Sequence, residues 1–159
     1  MGYDIYVQSP DGKRLFGPEN YCRLTSLDMS KVLDAMEHFG MIYEAPAPAF
    51  PALADFQLTG NLANGAESDP ETQERAAAYI AAYRAVENAA DPEPAGIPEY
   101  KLEYSGAFLI TVAEITAALA CYDAHPGVEM AEAPMGAPTW RNWIAFLRRA
   151  KTYGGLRTH

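Results

Sequence analysis

The sequence predicts an α+β fold, in which a small antiparallel sheet is covered by about four helices. Two observations predict this class. Some segments alternate apolar and polar residues, as strands with one buried face do, and others repeat apolar residues at three- and four-residue spacing, as amphipathic helices do. The chain has 159 residues, so we predict a single domain over residues 1–159.

The first part of the sheet is predicted as an N-terminal meander. Residues 2–8 have the two-residue period of a strand, and the SPDG segment at residues 9–12 is typical of a turn. Residues 13–16 are therefore expected to return as an antiparallel partner. After a second reversal, residues 21–24 add a third strand.

A capped helix follows the meander. Ser26 or Asp28 can accept the free amide hydrogens of its first turn, and Gly40 stands where a left-handed residue ends a helix. Residues 41–43 are expected to return beside residues 21–24. The apolar face of the helix comprises Met29, Val32, Leu33, Met36 and Phe39.

Three proline-rich segments, at residues 45–51, 91–98 and 126–138, are predicted as loops. A helix over residues 71–90 lies between the first two, because Asp69 can cap it and Pro70 suits its first turn. Its predicted inner face comprises Tyr79, Ile80, Tyr83 and Val86.

A later hairpin is predicted from two short apolar segments, residues 100–104 and 107–110. Thr111 and Glu114 then have the reciprocal spacing of a capping box. This spacing predicts a helix over residues 112–124.

The last helix is predicted over residues 140–153, with Thr139 as its cap and Gly154 and Gly155 as its end. Its two tryptophans make it a principal anchor of the core. The inner arc comprises Trp140, Trp143, Ile144, Phe146, Leu147 and Ala150.

Charge is unevenly distributed along the chain. Residues 1–137 carry 7 Lys and Arg against 21 Asp and Glu, whereas residues 138–159 carry 5 basic residues and no acidic ones. The two parts are expected to attract each other. The acidic body disfavours binding to nucleic acid.

A cytoplasmic location is predicted. Cys22 and Cys121 have no paired spacing, and the first thirty residues do not resemble a signal peptide. No apolar run approaches the roughly 20 residues of a membrane helix, so no membrane partner is expected.

The sequence predicts no catalytic, cofactor-binding or metal-ligating residues. It contains no glycine-rich phosphate loop and no GxSxG, HExxH or paired CxxC motif. Cys121 and His125 have the helical spacing of two metal ligands, but two ligands are too few. The favoured interpretation is a helix-end histidine that interacts with the last carbonyl groups.

The candidate binding residues are Arg141, Arg148 and Arg157, which are expected to converge on a phosphate or carboxylate through their forked donors. The alternative is that basic residues here only complement the C-terminal end of a helix. Six tyrosines are candidates for lining a pocket or for packing in the core: Tyr3, Tyr6, Tyr21, Tyr79, Tyr83 and Tyr153.

Four stretches together resemble a group of small, uncharacterised acidic proteins of actinobacteria and their phages. They are the opening MGYD, NYCRL at residues 20–24, IPEYKL to TVAEI at residues 97–115, and WRNWIAFLRRA to YGGLR at residues 140–157. The similar proteins have an aromatic residue in place of Cys22 and phenylalanine in place of Leu156. The resemblance implies one α+β domain with an accessory role and carries no known activity.

The leading hypothesis is a non-enzymatic, phage-encoded accessory protein that binds a protein partner with its acidic surface. The alternative is a small-molecule binding protein or enzyme, whose tyrosine- and arginine-lined pocket takes an anionic ligand. A further alternative is an accessory protein of virion assembly.

Overall fold

The computed structural model describes residues 2–60, 69–103, 106–125 and 136–159, and these residues confirm the α+β class. They form two compact units. The first comprises the described residues up to Ala47 and from Ala90 onward, and the second lies within Pro48–Ala89. The single domain over residues 1–159 stays a prediction.

The first unit is built on a four-stranded antiparallel sheet with strand order β2-β1-β6-β5, and β3 and β4 form a separate parallel pair. No helix in the described part of the chain is long and apolar enough to cross a membrane. The strands are β1 (Gly2–Val7), β2 (Tyr21–Thr25), β3 (Ile42–Tyr43), β4 (Ile97–Pro98), β5 (Leu109–Ile110) and β6 (Leu156–Thr158). The helices are α1 (Ser26–His38), α2 (Pro70–Glu87), α3 (Tyr100–Glu103), α4 (Val112–Asp123) and α5 (Ala137–Lys151), with 3-10 turns at Pro18–Asn20 and Leu53–Phe56.

The centre of the sheet contains a strand that the sequence analysis did not predict. β6 lies between β1 and β5, and its Leu156 pairs with a residue of each neighbour. Gly154 and Gly155, predicted only as the end of a helix, lead directly into this strand. The Gly154 N–H donates to the Gln8 carbonyl at 2.7 Å, and the Gln8 N–H donates to the Gly155 carbonyl at 3.0 Å.

Two of the predicted strand pairings are wrong, and a third is confirmed only in part. Residues 13–16 return antiparallel to the end of β1 through the Gln8–Arg14 bridge and the Leu15 N–H, which donates to the Val7 carbonyl at 3.0 Å, but they form no strand. β1 pairs directly with β2. Residues 100–103 form α3 rather than an arm of a hairpin, and β5 pairs with β6. Residues 41–43 do not join β2, because β3 pairs with β4 inside the predicted loop at residues 91–98. Short apolar segments become strands only where a long-range partner is available.

The starts of α1, α2 and α4 follow the capping rules. The predicted capping box of Thr111 and Glu114 is confirmed, and Asp69 caps α2 by accepting an amide hydrogen at 2.9 Å. In α1 the cap is Thr25, with Asp28 as the reciprocal partner, and neither Ser26 nor Asp28 is itself the cap.

α5 begins earlier than predicted. Its first residue is Ala137, so its start falls inside the predicted loop at residues 126–138, and Gly136 rather than Thr139 precedes the helix. Pro138 is compatible with this start because a first-turn amide has no partner within the helix. Residues 126–135 of the predicted loop lie outside the described residues.

Aromatic rings join the three long helices of the first unit. Phe39, at the end of α1, stacks on Trp140 of α5 with ring centroids 5.3 Å apart, and Tyr122 of α4 meets Phe39 edge-on at 5.0 Å. The predicted inner arc of α5 is buried. This packing holds α5 firmly against the rest of the unit.

The second unit contains α2 and the 3-10 turn before it. Tyr83 lies 4.4 Å from Phe50 between ring centroids, and Tyr79 meets Phe56 edge-on at 5.6 Å. Ile80, predicted on the inner face, is 44% exposed. The tyrosines therefore form the packed face of α2 within this unit.

A buried ion pair joins α3 to the start of α4. Lys101 Nζ donates to Glu114 Oε1 at 2.7 Å and to the Leu109 carbonyl at 2.8 Å, and both charged side chains are almost completely buried. The second carboxylate oxygen of Glu114 accepts the Thr111 N–H. Burial lowers the pKa of Lys101, although its hydrogen bond to Glu114 opposes that shift.

Glu114→Gln is expected to lower the free energy of unfolding by about 3–5 kcal/mol, because it leaves the Lys101 ammonium buried without its counter-charge. The double variant Lys101→Met, Glu114→Gln should lose less, since no charge stays buried. Chemical denaturation of the three proteins measures both values. A double variant less stable than Glu114→Gln would contradict the role of the pair.

The pH dependence of Glu114→Gln gives a second readout. Without the carboxylate, the folded-state pKa of Lys101 falls further below the ordinary 10.5. At pH values between the folded-state pKa and 10.5, the unfolded state of the variant binds more protons than the folded state. The free energy of unfolding should therefore rise as the pH increases toward 10.5.

Gly155→Ala is expected to destabilise the protein more than Gly12→Ala. Both glycines have positive φ, 94° and 81°, which costs an alanine about 1–2 kcal/mol. A Cβ at Gly155 would in addition collide with the Ile110 carbonyl, whereas a Cβ at Gly12 would meet nothing within 4 Å. Equal losses in thermal or denaturant unfolding would show that the close approach at Gly155 does not matter.

Candidate functional site

A groove lies between the outer edge of β2 and helix α5. Its cavity volume is about 560 Å³, which is within the usual range of ligand pockets. Residues from the 3-10 turn before β2 line one end of it. The strand contributes Tyr21, Cys22, Arg23 and Leu24, and the helix contributes Thr139, Asn142, Trp143, Ala145, Phe146 and Arg149.

Asn20 fixes the end of the groove that the 3-10 turn forms. This side chain is 5% exposed. Its Nδ2 donates to the Phe16 carbonyl at 2.7 Å, and its Oδ1 accepts from Arg149 Nε at 2.7 Å. Arg149 also lies 3.8 Å from the Glu19 carboxylate. The turn is thereby tied to α5, so the two walls of the groove are held at a fixed separation.

The backbone of Arg23 faces the free edge of the sheet. Along an antiparallel strand, successive residues direct their N–H and C=O groups alternately to the two sides. Asp4 exchanges both of its backbone hydrogen bonds with His159, on the side away from β2. Arg23 stands directly opposite Asp4, so its own N–H and C=O point away from β1. Neither group has a hydrogen-bond partner among the described residues.

The other outward N–H groups of β2 are already occupied. The Tyr21 N–H donates to the Pro18 carbonyl, and the Thr25 N–H donates to the Asp28 carboxylate at 3.3 Å. The free edge is therefore short. Its centre is Arg23, which offers one donor and one acceptor.

The floor of the groove is apolar. Leu24, Trp143 and Phe146 are each at most 8% exposed. The indole N–H of Trp143 is buried and has no hydrogen-bond partner in the part of the chain that the structure describes. Burial raises the pKa of the Cys22 thiol, so this thiol is protonated at neutral pH and is a poor nucleophile.

The rim of the groove beside β2 is polar. The Arg23 side chain is 71% exposed, and its Nε lies 4.0 Å from Asp4 Oδ1. The Tyr21 hydroxyl donates to the same carboxylate at 2.5 Å, and this hydrogen bond raises the pKa of Tyr21. The groove therefore combines an apolar floor, a short free strand edge and an exposed cation.

The three arginines predicted as binding residues have different surroundings. Arg148 forms a two-point ion pair with Asp123, with N–O distances of 2.6 and 3.2 Å, which lowers the pKa of Asp123 and raises that of Arg148. Arg157 donates to a glutamine side chain and to a backbone carbonyl, and Arg141 is exposed on α5. No contact among the described residues joins the three, so their convergence on an anion stays a prediction.

A second, smaller cavity contains Arg157. Its volume is about 80 Å³. The Arg14 guanidinium carbon lies 3.3 Å from the centre of the Tyr6 ring, which stacks on Tyr21 at 5.1 Å. Of the six candidate tyrosines only Tyr6 lines this cavity. Its lining residues are Tyr6, Gln8, Gly12, Arg14, Arg157 and His159.

His125 has the structural role that the sequence analysis favoured. Its Nδ1 lies 2.7 Å from the Cys121 carbonyl oxygen at the end of α4, where a histidine satisfies a helix-end acceptor. Across the described ranges, no group of three or more His, Cys, Asp or Glu side chains is placed to hold a metal ion.

The groove and the importance of Arg23 within it are not predicted from the sequence. Both walls are predicted, as a strand at residues 21–24 and as an amphipathic helix that includes Trp143 and Phe146. Whether that strand has a free edge depends on the order of strands, which no local pattern specifies.

No protein family model matches the chain, and neither a curated protein nor a solved structure matches it. Function is therefore inferred from the geometry of the groove and from charge.

Proposed function

We propose that this protein is a non-enzymatic binding protein, whose groove between β2 and α5 receives a segment of another protein. The observation that carries the proposal is the backbone N–H and C=O of Arg23, which have no partner among the described residues and lie beside an apolar groove of about 560 Å³. An open strand edge is a template for another chain, and a pocket beside it selects side chains.

Charge supports a protein partner. The net charge of −9 repels nucleic-acid phosphates and favours encounters with basic proteins. We also propose an accessory, phage-encoded role, because four stretches of the sequence resemble small acidic proteins of actinobacteria and their phages. The proposal also includes a cytoplasmic location, because Cys22 and Cys121 are free thiols, as is usual in a reducing compartment.

Selection from a display library of short peptides should enrich a defined class of sequences on the wild-type protein but not on Ala145→Trp, whose indole obstructs the groove. Ala145 is exposed and lines the groove, so this variant should fold normally. Ala120→Trp makes the same change at an exposed residue of α4 outside the groove and should retain the enrichment.

Thermal unfolding of the three proteins checks that they are folded before selection. Two results would count against the proposal: no enrichment on the wild-type protein, or the same enriched sequences on Ala145→Trp.

A second candidate function is binding of a small anion in the cavity of about 80 Å³, which contains one candidate tyrosine, Tyr6, and one candidate arginine, Arg157. Arg14 and Arg157 both line it, and guanidinium groups bind phosphate or carboxylate through paired hydrogen bonds.

Inorganic phosphate should raise the melting temperature of the wild-type protein at constant ionic strength, because a ligand that binds only the folded state stabilises it. Arg14→Gln should lose this effect. Lys31→Gln removes the same charge from an exposed position on α1 and should keep it. The same stabilisation in all three proteins would rule out this cavity as the cause.

A further inference from the structure

We infer that the groove binds an extended peptide as an additional antiparallel strand on β2, with an acidic residue opposite Arg23 and an apolar residue on each side of it. This inference rests on the proposed function and adds the chemistry of the partner segment. It follows from the register of β2, from the two faces of that strand and from the charge at its centre.

Arg23 sets the register of the added strand. Its N–H and C=O both face the edge, so one peptide residue can exchange two hydrogen bonds with it, as the directly opposed residues of an antiparallel pair do. Directly opposed side chains lie on the same face of a sheet. The opposed peptide side chain therefore lies beside the Arg23 side chain, which is 71% exposed.

The two flanking peptide residues point to the other face. They lie opposite Cys22 and Leu24, whose side chains pack toward the hydrophobic core. On that side Trp143 and Phe146 of α5 line the groove. Apolar side chains suit these two positions, because the groove lining there is apolar and such side chains need no hydrogen bonds.

Charge determines the residue at the centre of the peptide. A carboxylate opposite Arg23 forms a cross-strand ion pair, and Arg23 then lies between this carboxylate and Asp4 on β1. Two other charged residues line the groove, Arg149 and Glu19, and they lie 3.8 Å apart at its far end. At the free edge of β2, the Arg23 side chain is exposed and can meet a carboxylate of the peptide.

A second copy of this chain is a poorer occupant than a peptide of another protein. If two β2 strands paired about a two-fold axis at Arg23, that arginine would stand opposite itself. Like charges directly opposed on a sheet are destabilising, and a charged residue on an edge strand is a common protection against self-pairing. The same charge favours a partner strand with a carboxylate.

The test uses two dye-labelled peptides, Lys-Thr-Val-Glu-Val-Thr-Lys and a control with lysine in place of the glutamate, and measures fluorescence anisotropy with the full chain. The wild-type protein should bind the glutamate peptide about two- to fivefold more tightly. The net charge of −9 acts in the opposite direction by attracting the more basic control, so this preference requires a local cation.

Arg23→Glu should reverse the preference between the two peptides. Lys31→Glu makes the same change in charge on the exposed surface of α1 and should leave the preference as it is. Ala145→Trp should weaken the binding of both peptides, because the flanking valines lose their place in the groove.

Hydrogen exchange tests the backbone pairing separately. The Arg23 amide should exchange rapidly in the free protein and slowly in the peptide complex. Slow exchange in the free protein at low concentration would overturn the inference, because the edge would already be paired.

The inference and the proposed function fail in different ways. If Arg23→Glu leaves the preference unchanged, or if neither peptide binds, while library selection still depends on Ala145, the register is wrong and the groove still binds a partner. If Ala145→Trp affects neither peptide binding nor selection, the groove is not the binding site and both proposals are lost.

Discussion

The buried ion pair between Lys101 and Glu114 is the interaction on which the first unit depends. It connects α3, the carbonyl at the start of β5 and the cap of α4. Thr158 of β6 adds the last connection, because its buried hydroxyl lies within hydrogen-bonding distance of the carbonyls of Lys101 and Gly106. A buried charge is tolerated only when its hydrogen bonds are made. The pair therefore permits one arrangement of these four elements and penalises displaced ones.

The local features of the fold could be predicted from the sequence, since each depends on a few neighbouring residues. The capping box of Thr111 and Glu114 and the left-handed residue Gly40 are of this kind. The inner arc of α5 could also be predicted, because its apolar residues repeat with the helical period. The pairing of strands that lie far apart in the sequence could not be predicted. β6 is three residues long, and it is a strand because β1 and β5 lie on both sides of it.

The candidate site shows the same division between local and long-range information. Residues 21–24 and α5 were both predicted, but the groove exists only because β1 uses its other side for β6 and leaves β2 at the edge. The binding arginines proposed from the sequence were chosen by residue type and helix position. Of these, Arg148 is engaged by Asp123, a contact across two helices that spacing along the chain does not reveal. The role of Arg23 could not be predicted, because it depends on which side of β2 is left without a neighbouring strand.

The pairing of β1 with β6 has a consequence for biosynthesis. Asp4 and His159 are hydrogen-bonded through their backbones, so the two innermost strands of the sheet come from opposite ends of the printed sequence. A nascent chain can form α1 and α4 while it is still being made, because the backbone hydrogen bonds of a helix join residues four apart. It cannot close the sheet until residues 156–158 have left the ribosome, and until then β1 exposes an unpaired side. Final folding is therefore expected after translation of this segment.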